Sequence, residues 1–141
     1  MPNTVFSPAG YTPTFAVSFS DGASGAQIVA NGTPLPVTPI VANKPAPLGG
    51  TTSTSATFGP FVPVAGQPVV ISLSGSWTGA VSLLRSVDGG TTRLPVTMAG
   101  RTWGQYSANV CEPVWEEAEA SAGLYLDVAL QSGTVTYRLA Q

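Results

Sequence analysis

The clearest pattern in the chain is an alternation of apolar and other residues near the carboxyl end. Residues 124–130 place an aliphatic side chain at every second position, and residues 135–139 repeat this spacing. Successive side chains of a β-strand point to opposite faces, so a period of two predicts half-buried strands. Leu126 lies at the centre of the first run and is predicted to be a core residue. Ser132-Gly133 separates the two runs and predicts a hairpin turn.

Shorter runs of the same kind fill the middle of the chain. Gly75 to Gly79, Asp88-Gly89-Gly90 and Gly100 separate them as turn signals, and Gly59-Pro60 predicts a bulge or an edge position. Many short strands divided by turn residues predict an all-β protein, an antiparallel β-sandwich or jelly roll. The predicted strands of this part cover residues 54–62, 68–74, 80–87, 91–98 and 101–108.

The first third of the chain differs from the rest. Eight of the thirteen prolines and only two charged residues, Asp21 and Lys44, precede Gly49-Gly50. Phe15, Val17 and Phe19 alternate on one face of a predicted strand over residues 14–20. Large apolar residues are too few here to bury a separate core. We therefore predict an extended, proline-rich N-terminal arm with local β structure over residues 1–52, and a β-sandwich domain over residues 53–141.

Two further extended segments are predicted within this arm. Residues 26–30 and 35–41 flank Asn31-Gly32, a dipeptide typical of hairpin turns. Pro34 and Pro36 weaken that hairpin, because proline cannot donate a backbone hydrogen bond within a sheet.

Residues 112–122 have a different composition, which favours a turn or two of helix or an ordered loop. This run holds four of the seven acidic residues, Glu112, Glu116, Glu117 and Glu119. Three interpretations stay open: a solvated face, a patch that pairs with arginines of a partner chain, and a calcium site or glycosidase-like carboxylate pair. Calcium loops usually combine Asp and Asn with a turn glycine, and this run has none of them.

The scarcity of charge has two interpretations: a surface covered by partner chains, which we favour, and a protein that simply has few charges. Charged residues make up 9% of the chain, against about 25% in ordinary soluble proteins, and so few charges protect a surface poorly against association. Five basic residues and a net charge of −2 argue against nucleic acid as a partner. The candidate partner-interface residues are Phe15, Val17, Phe19, Lys44, Glu112, Glu116, Glu117 and Glu119.

The residues that usually carry enzyme chemistry are scarce. The chain has no histidine, and Cys111 is its single cysteine, predicted to be a buried structural thiol. Trp77, Trp103, Tyr106 and Trp115 are predicted to pack in the core or against a hairpin, with stacking on a sugar as the alternative. We therefore expect no enzyme activity, no cofactor and no metal site. No basic segment followed by an apolar run opens the chain, and no apolar run approaches the length of a membrane span, so we expect no membrane partner.

Two stretches carry a resemblance to a known family. Residues 73–92 read LSGSWTGAVSLLRSVDGGTT, and the chain ends in SGTVTYRLAQ. Together they resemble small β-sandwich proteins encoded among the structural genes of tailed phages and prophages, of the capsid decoration, cement or head-fibre type. The resemblance spans residues 51–141. The chain departs from that pattern at Arg93, where a tryptophan often follows DGGTT, and a sugar-binding role is then less expected.

The resemblance implies a virion structural protein and supplies no catalytic motif. Such a protein binds the outside of an assembled icosahedral capsid, with the major capsid protein and sister copies, as a dimer or trimer, for partners. It is made in the cytoplasm of the host bacterium and ends on the capsid surface of the virion. Two alternatives stay open: a fibre or tip module that binds a host receptor or glycan, and a carboxylate glycosidase that uses the Glu112 to Glu119 run.

Overall fold

The computed structural model describes residues 17–20, 26–32, 34–37 and 43–141, and the chain divides into two compact units, Met1–Val41 and Ala42–Gln141. Strands, turns and irregular segments make up the described residues, and no helix occurs among them. The strands are β1 (Ser18–Ser20), β2 (Ala26–Ile28), β3 (Leu48–Thr52), β4 (Ala56–Phe61), β5 (Pro68–Ser86), β6 (Leu94–Pro95), β7 (Thr97–Met98), β8 (Arg101–Thr102), β9 (Gln105–Tyr106), β10 (Val110–Glu116) and β11 (Gly123–Ala140). All their pairings are antiparallel, which confirms the predicted all-β class.

The first unit contains an antiparallel pair of short strands. Phe19 of β1 lies opposite Gln27 of β2, and the Val29 N–H donates to the Val17 carbonyl oxygen at 3.0 Å. The predicted hairpin around Asn31-Gly32 is not formed by residues 34–37, which are described without a strand. Phe15 and residues 38–41 of the predicted strands lie outside the described residues.

The second unit begins before the predicted domain boundary. We predicted an arm that extends to residue 52, whereas Leu48–Thr52 forms β3 and pairs with β11, with Leu48 opposite Leu139. Gly49 and Gly50 gave this segment no alternating pattern, so its strand character comes from the hydrogen bonds to β11 rather than from its own side chains.

Two long strands, β5 and β11, form the centre of the second unit. They pair along almost their whole length, and Leu83 lies opposite Leu126 while Ile71 lies opposite Leu139. The end-to-end order of the sheet is β10-β5-β11-β3, with β4 also on β11 and with β6 and β9 on β5. Both halves of the two long strands bury side chains in a single core cluster.

The predicted turns at Gly75–Gly79 and Ser132-Gly133 are wrong, because both are bends inside continuous strands. The register of β11 against β5 shifts between Leu130 and Ser132, a β-bulge that returns the alternating apolar residues to the same face. Gly79 and Gly133 have φ of +136° and +88°. A Cβ on Gly133 would collide with the carbonyl oxygen of Ser76. Glycine therefore permits a close approach of the two bent strands here, instead of a reversal of the chain.

Other turn predictions are confirmed. The Asp88-Gly89-Gly90 segment follows the end of β5 and lets β6 return beside it, with Leu94 opposite Arg85. Ala99 and Gly100 have positive φ and connect β7 to β8. Gly59-Pro60 lies at a register shift between β4 and β11, as a bulge on an edge strand predicts.

The predicted helix over residues 112–122 is wrong in its first half. Val110–Glu116 is β10, which pairs with the first half of β5 through a bulge between Pro113 and Trp115. Residues 117–122 form the ordered loop that was the alternative. Tertiary pairing overrides the helix preference of the glutamates, since the β5 edge offers hydrogen bonds that a short helix would leave unused. Among the described residues, no helix could span a membrane.

Candidate functional site

Exposed hydrophobic side chains are concentrated between β5 and β9. Val87, Leu94, Met98 and Trp103 are 53%, 63%, 51% and 41% exposed. Monomeric proteins rarely leave a contiguous apolar surface open to water, so such a concentration indicates a binding surface.

Beside this segment lie two adjoining depressions that share Trp115 and Glu116. Their volumes are about 480 Å³ and about 400 Å³. Leu94 and Val96 line the first depression, and Met98 lines the second. We call the two together the Trp115 groove. Its further lining residues include Val87, Thr97 and Glu117 in the first depression and Pro68, Trp103 and Pro113 in the second.

Internal hydrogen bonds hold the two tryptophans of the groove. Trp103 Nε1 donates to the carbonyl oxygen of Val114 at 2.8 Å, and Trp115 Nε1 donates to Glu117 Oε2 at 3.2 Å. Both indole N–H groups are therefore engaged within the protein. What the two side chains offer to a partner is the apolar surface of their rings.

Glu117 lines the first depression, although its side chain is buried. Its side chain is 2% exposed, and Arg85 binds it in a bidentate manner at 2.7 and 2.8 Å. The backbone N–H groups of Ala118 and Glu119 donate to the same carboxylate at 3.0 Å. The hydrogen bond from Arg85 is the main reason why the pKa of Glu117 falls to about 2. These contacts make Glu117 a structural ion-pair partner, and its burial removes it from the surface.

The other predicted interface glutamates differ in their surroundings. Glu119 is exposed and accepts a hydrogen bond from Arg85 at 2.8 Å. Glu112 accepts one from the Tyr106 hydroxyl at 3.0 Å, and burial together with this bond raises the pKa of Tyr106. Glu116 is exposed on the groove and makes no ion pair or side-chain hydrogen bond with the described part of the chain. The four glutamates thus have different roles, and Glu116 alone of them offers a free charge on the groove.

The predicted arm residues lie elsewhere in the chain. Val17 is 58% exposed, Phe19 is partly buried, and Phe15 lies outside the described residues. Lys44 is exposed in the irregular segment before β3 and makes no ion pair within the described ranges. Val17 and Phe19 belong to the first unit, and Lys44, in the second unit, lines neither depression of the Trp115 groove.

One prediction about a single side chain is wrong. Cys111 is exposed on β10, where the Ser72 hydroxyl lies 3.3 Å from its sulfur, and is not a buried thiol. Trp103 is 41% exposed and lies outside the core cluster, whereas Trp77, Tyr106 and Trp115 pack against the core. Over residues 17–20, 26–32, 34–37 and 43–141, no three His, Cys, Asp or Glu residues come close enough together to hold a metal ion.

Sequence reasoning missed Leu94 and Met98 as exposed residues. Both lie within the predicted strand over residues 91–98, for which the residue pattern assigned no faces. The only available signal was the density of turn residues around them, Gly89-Gly90 before and Gly100 after, which leaves only two-residue strands and little room to bury side chains.

Comparisons of the chain with models of known protein families, with curated proteins and with solved structures found no significant match. The geometry of the groove and the residue pattern are therefore the basis of the proposed function.

Proposed function

We propose that the chain is a virion structural protein, a capsid decoration or cement protein that binds and stabilises the assembled head of a tailed phage. The observation that carries the proposal is the set of large hydrophobic side chains exposed on a charge-poor, all-β protein. They occur in both units, with Val37 at 79% exposure in the first and Leu94 at 63% in the second. Covering such side chains supplies the free energy of binding to a coat surface.

The partner in this proposal is the major capsid protein in its assembled state. A binding protein with few charges depends on apolar area and backbone hydrogen bonds, and these need neighbouring coat subunits in fixed positions to present a matching surface. A protein that bridges two subunits stabilises the assembly, because it binds only the assembled form. The sequence resemblance to phage decoration proteins supports the same partner.

The finer fold belongs to the same proposal. The two bent halves of β5 and β11 each carry flanking strands and bury one face in a common core. A long bent ribbon whose halves share one core is how a sandwich or jelly roll is built. In this proposal the outer surface of that sandwich and the first unit each contribute contacts to the head.

A second function, a fibre or tip module that binds a glycan, is supported by one observation. Trp103 is 41% exposed beside Trp115, and a ring with a free apolar surface can stack on a sugar. The internal use of both indole N–H groups weakens this function, since sugar recognition also needs polar groups directed at the ligand.

Co-sedimentation with phage heads tests the proposal. The purified chain should bind assembled heads of the phage that encodes it, and should not bind unassembled coat protein. Deletion of residues 2–41, the first unit, should reduce head binding at least tenfold. A cut after residue 50 is unsuitable, because it would also remove part of β3.

A matched pair of variants gives the control. Leu94→Ser should weaken head binding, whereas Val62→Ser, at 47% exposure outside the Trp115 groove, should not. Failure of the wild-type chain to co-sediment with assembled heads would overturn the proposal, whereas wild-type occupancy by both the deletion variant and Leu94→Ser would show that neither surface is the docking contact. Binding to a glycan array that Trp103→Ala abolishes, without binding to heads, would favour the fibre module instead.

A further inference from the structure

A segment with the sequence Asn43-Lys44-Pro45-Ala46-Pro47 precedes β3 and forms no strand. All its residues are exposed except Pro45, which is partly buried. Lys44 is the only basic residue before Arg85. Two prolines with one residue between them restrict the backbone to extended or polyproline II conformations, so this segment loses little entropy when it binds.

The second depression of the Trp115 groove has the surface that such a segment requires. Trp103, Trp115, Met98 and Pro113 line it, and the indole N–H groups are engaged internally. Proline-rich segments dock in aromatic-lined grooves, because the flat proline ring stacks on an aromatic face. Volumes of about 480 Å³ and about 400 Å³ for the two depressions lie within the range of natural binding pockets.

The charges of the groove and the segment are complementary. Glu116 lines both depressions and has no partner among the described residues. Lys44 lies directly before Pro45 and makes no ion pair in the described part of the chain. A proline seated on Trp115 would place the adjoining ammonium group beside this carboxylate.

The segment and the groove lie at opposite ends of the strand order. The order is β10-β5-β11-β3, where β10 carries Trp115 and the segment leads into β3. Within one chain, no residue of 43–47 lines either depression and Lys44 makes no ion pair with Glu116, so a contact between the segment and the groove is one between two copies of the chain. We propose that the second depression of the Trp115 groove binds the Lys44–Pro47 segment of a second copy, which leaves Leu94 in the first depression for the head. The contact is heterologous, so successive copies close into a ring or extend as a line.

Sedimentation velocity of the full-length chain tests this contact. We expect concentration-dependent association, and the weak charge contribution means that Lys44→Glu and Glu116→Lys should each weaken it by up to about fivefold. The double variant Lys44→Glu with Glu116→Lys should restore the wild-type affinity, because the pair is re-formed with its charges exchanged. Glu112→Lys, on the same strand but off the groove, is the matched control and should have little effect.

The apolar part of the contact has its own pair of variants. Met98→Ser should weaken association about tenfold or more, since a central apolar contact carries much of the energy of an interface. Val62→Ser, of similar exposure, should leave it unchanged. Both sites are exposed, so both variants should keep the wild-type thermal unfolding midpoint.

A synthetic peptide of residues 42–48 supplies an independent measurement. It should quench or shift tryptophan fluorescence of the full-length protein and should compete with self-association. The proposal is overturned if the protein stays monomeric up to about 1 mM, the weakest affinity of interest, and the peptide has no effect. It is equally overturned if association occurs but responds to neither Met98→Ser nor the charge exchange.

This inference and the proposed head binding fail separately. The deletion of residues 2–41 leaves the Lys44–Pro47 segment intact, so it tests binding to heads and not contact between copies. Conversely, the Lys44 and Glu116 variants change the contact between copies and keep the first unit.

Discussion

Leu126 shows how much of the stability depends on single core positions. It is fully buried in the first half of β11, opposite Leu83 of β5. Truncation to alanine removes buried methyl groups and leaves a cavity that close packing cannot fill. Leu126→Ala should therefore lower the free energy of unfolding by about 2–5 kcal/mol. Urea unfolding should show an earlier midpoint, and an unchanged midpoint would mean that the register of β11 is wrong.

Glu117 is the residue through which acid should destabilise the protein. The folded state holds its pKa at about 2, below its ordinary value of 4.5. As the pH falls, the unfolded chain takes up a proton on Glu117 before the folded chain does. The stabilisation that the ionised Glu117 contributes is therefore complete above about pH 4.5 and is lost as the pH falls towards 2. We expect a loss of about 3 kcal/mol over that range.

The variant Glu117→Gln separates this effect from other titrations. Asp88 also has its pKa lowered to about 2, mainly by the hydrogen bond from the Thr92 backbone N–H, and it is still present in the variant. Glu117→Gln should be less stable at pH 7, because Arg85 loses its buried charged partner and keeps only the exposed Glu119. Thermal unfolding midpoints from pH 7 to pH 2 should therefore fall less in the variant. Parallel curves for the two proteins would contradict the assignment.

At its bend, β11 approaches β5 closely. Gly133 has a φ of +88°, and a Cβ there would meet the carbonyl oxygen of Ser76 and the Cα of Trp77 on β5. Gly133→Ala should therefore lower the free energy of unfolding by more than about 3 kcal/mol, because the backbone strain of a positive φ and the steric collision add to each other.

Gly66→Ala is the matched control for Gly133→Ala. Gly66 has a φ of +73°, but nothing lies within 4 Å of the added Cβ. Gly66→Ala should lower the free energy of unfolding only by the cost of backbone strain, about 1–3 kcal/mol. Chemical denaturation of the two variants measures the difference. Equal losses would mean that the strands do not approach closely at this bend.

At the scale of the whole molecule, the scarcity of charge predicts how binding responds to salt. Lys44 and Glu116 are exposed and unpaired in the described part of the chain, while Arg85 and Glu117 neutralise each other internally. Salt screens exposed charges, so few are available to be screened. Head occupancy should change less than about threefold between low salt and 0.5 M NaCl. A loss of orders of magnitude would indicate that charge pairs, and not apolar contacts, hold the protein on the head.

Removal of the first unit should leave the second folded. Residues 42–141 contain every member of the core cluster found among the described residues. The variant without residues 2–41 should therefore keep a cooperative thermal transition close to that of the full-length protein. A broad or absent transition would show that the first unit contributes to the fold of the second.

The alternating residues of β11 illustrate what local sequence can determine. Leu126, Val128 and Leu139 were predicted to be buried, and they are. Apolar alternation reports one property, the face on which a strand is covered, and this holds whatever strand lies beside it. The turns after β5 and between β7 and β8 were predictable for a similar reason, since the tolerance of positive φ is a property of glycine itself.

The same local signals did not distinguish a turn from a bend. Ser132-Gly133 is compatible with either, and the choice depends on β5, which lies far away in sequence and continues to pair with β11 past this point. β3 has no pattern of its own and is a strand because β11 offers it hydrogen bonds. Glu117 is buried because Arg85 reaches it from another strand.

The sequence alone therefore determined the all-β class, the apolar face of the strands and the scarcity of charge. Only the tertiary structure decided the path of the long strands, the burial of Glu117 and the exposure of Trp103 and Met98. The physical reason is the range of the forces involved. Backbone preference and alternation depend on a residue and its neighbours in sequence, whereas burial and ion pairing depend on partners that only the folded chain brings together.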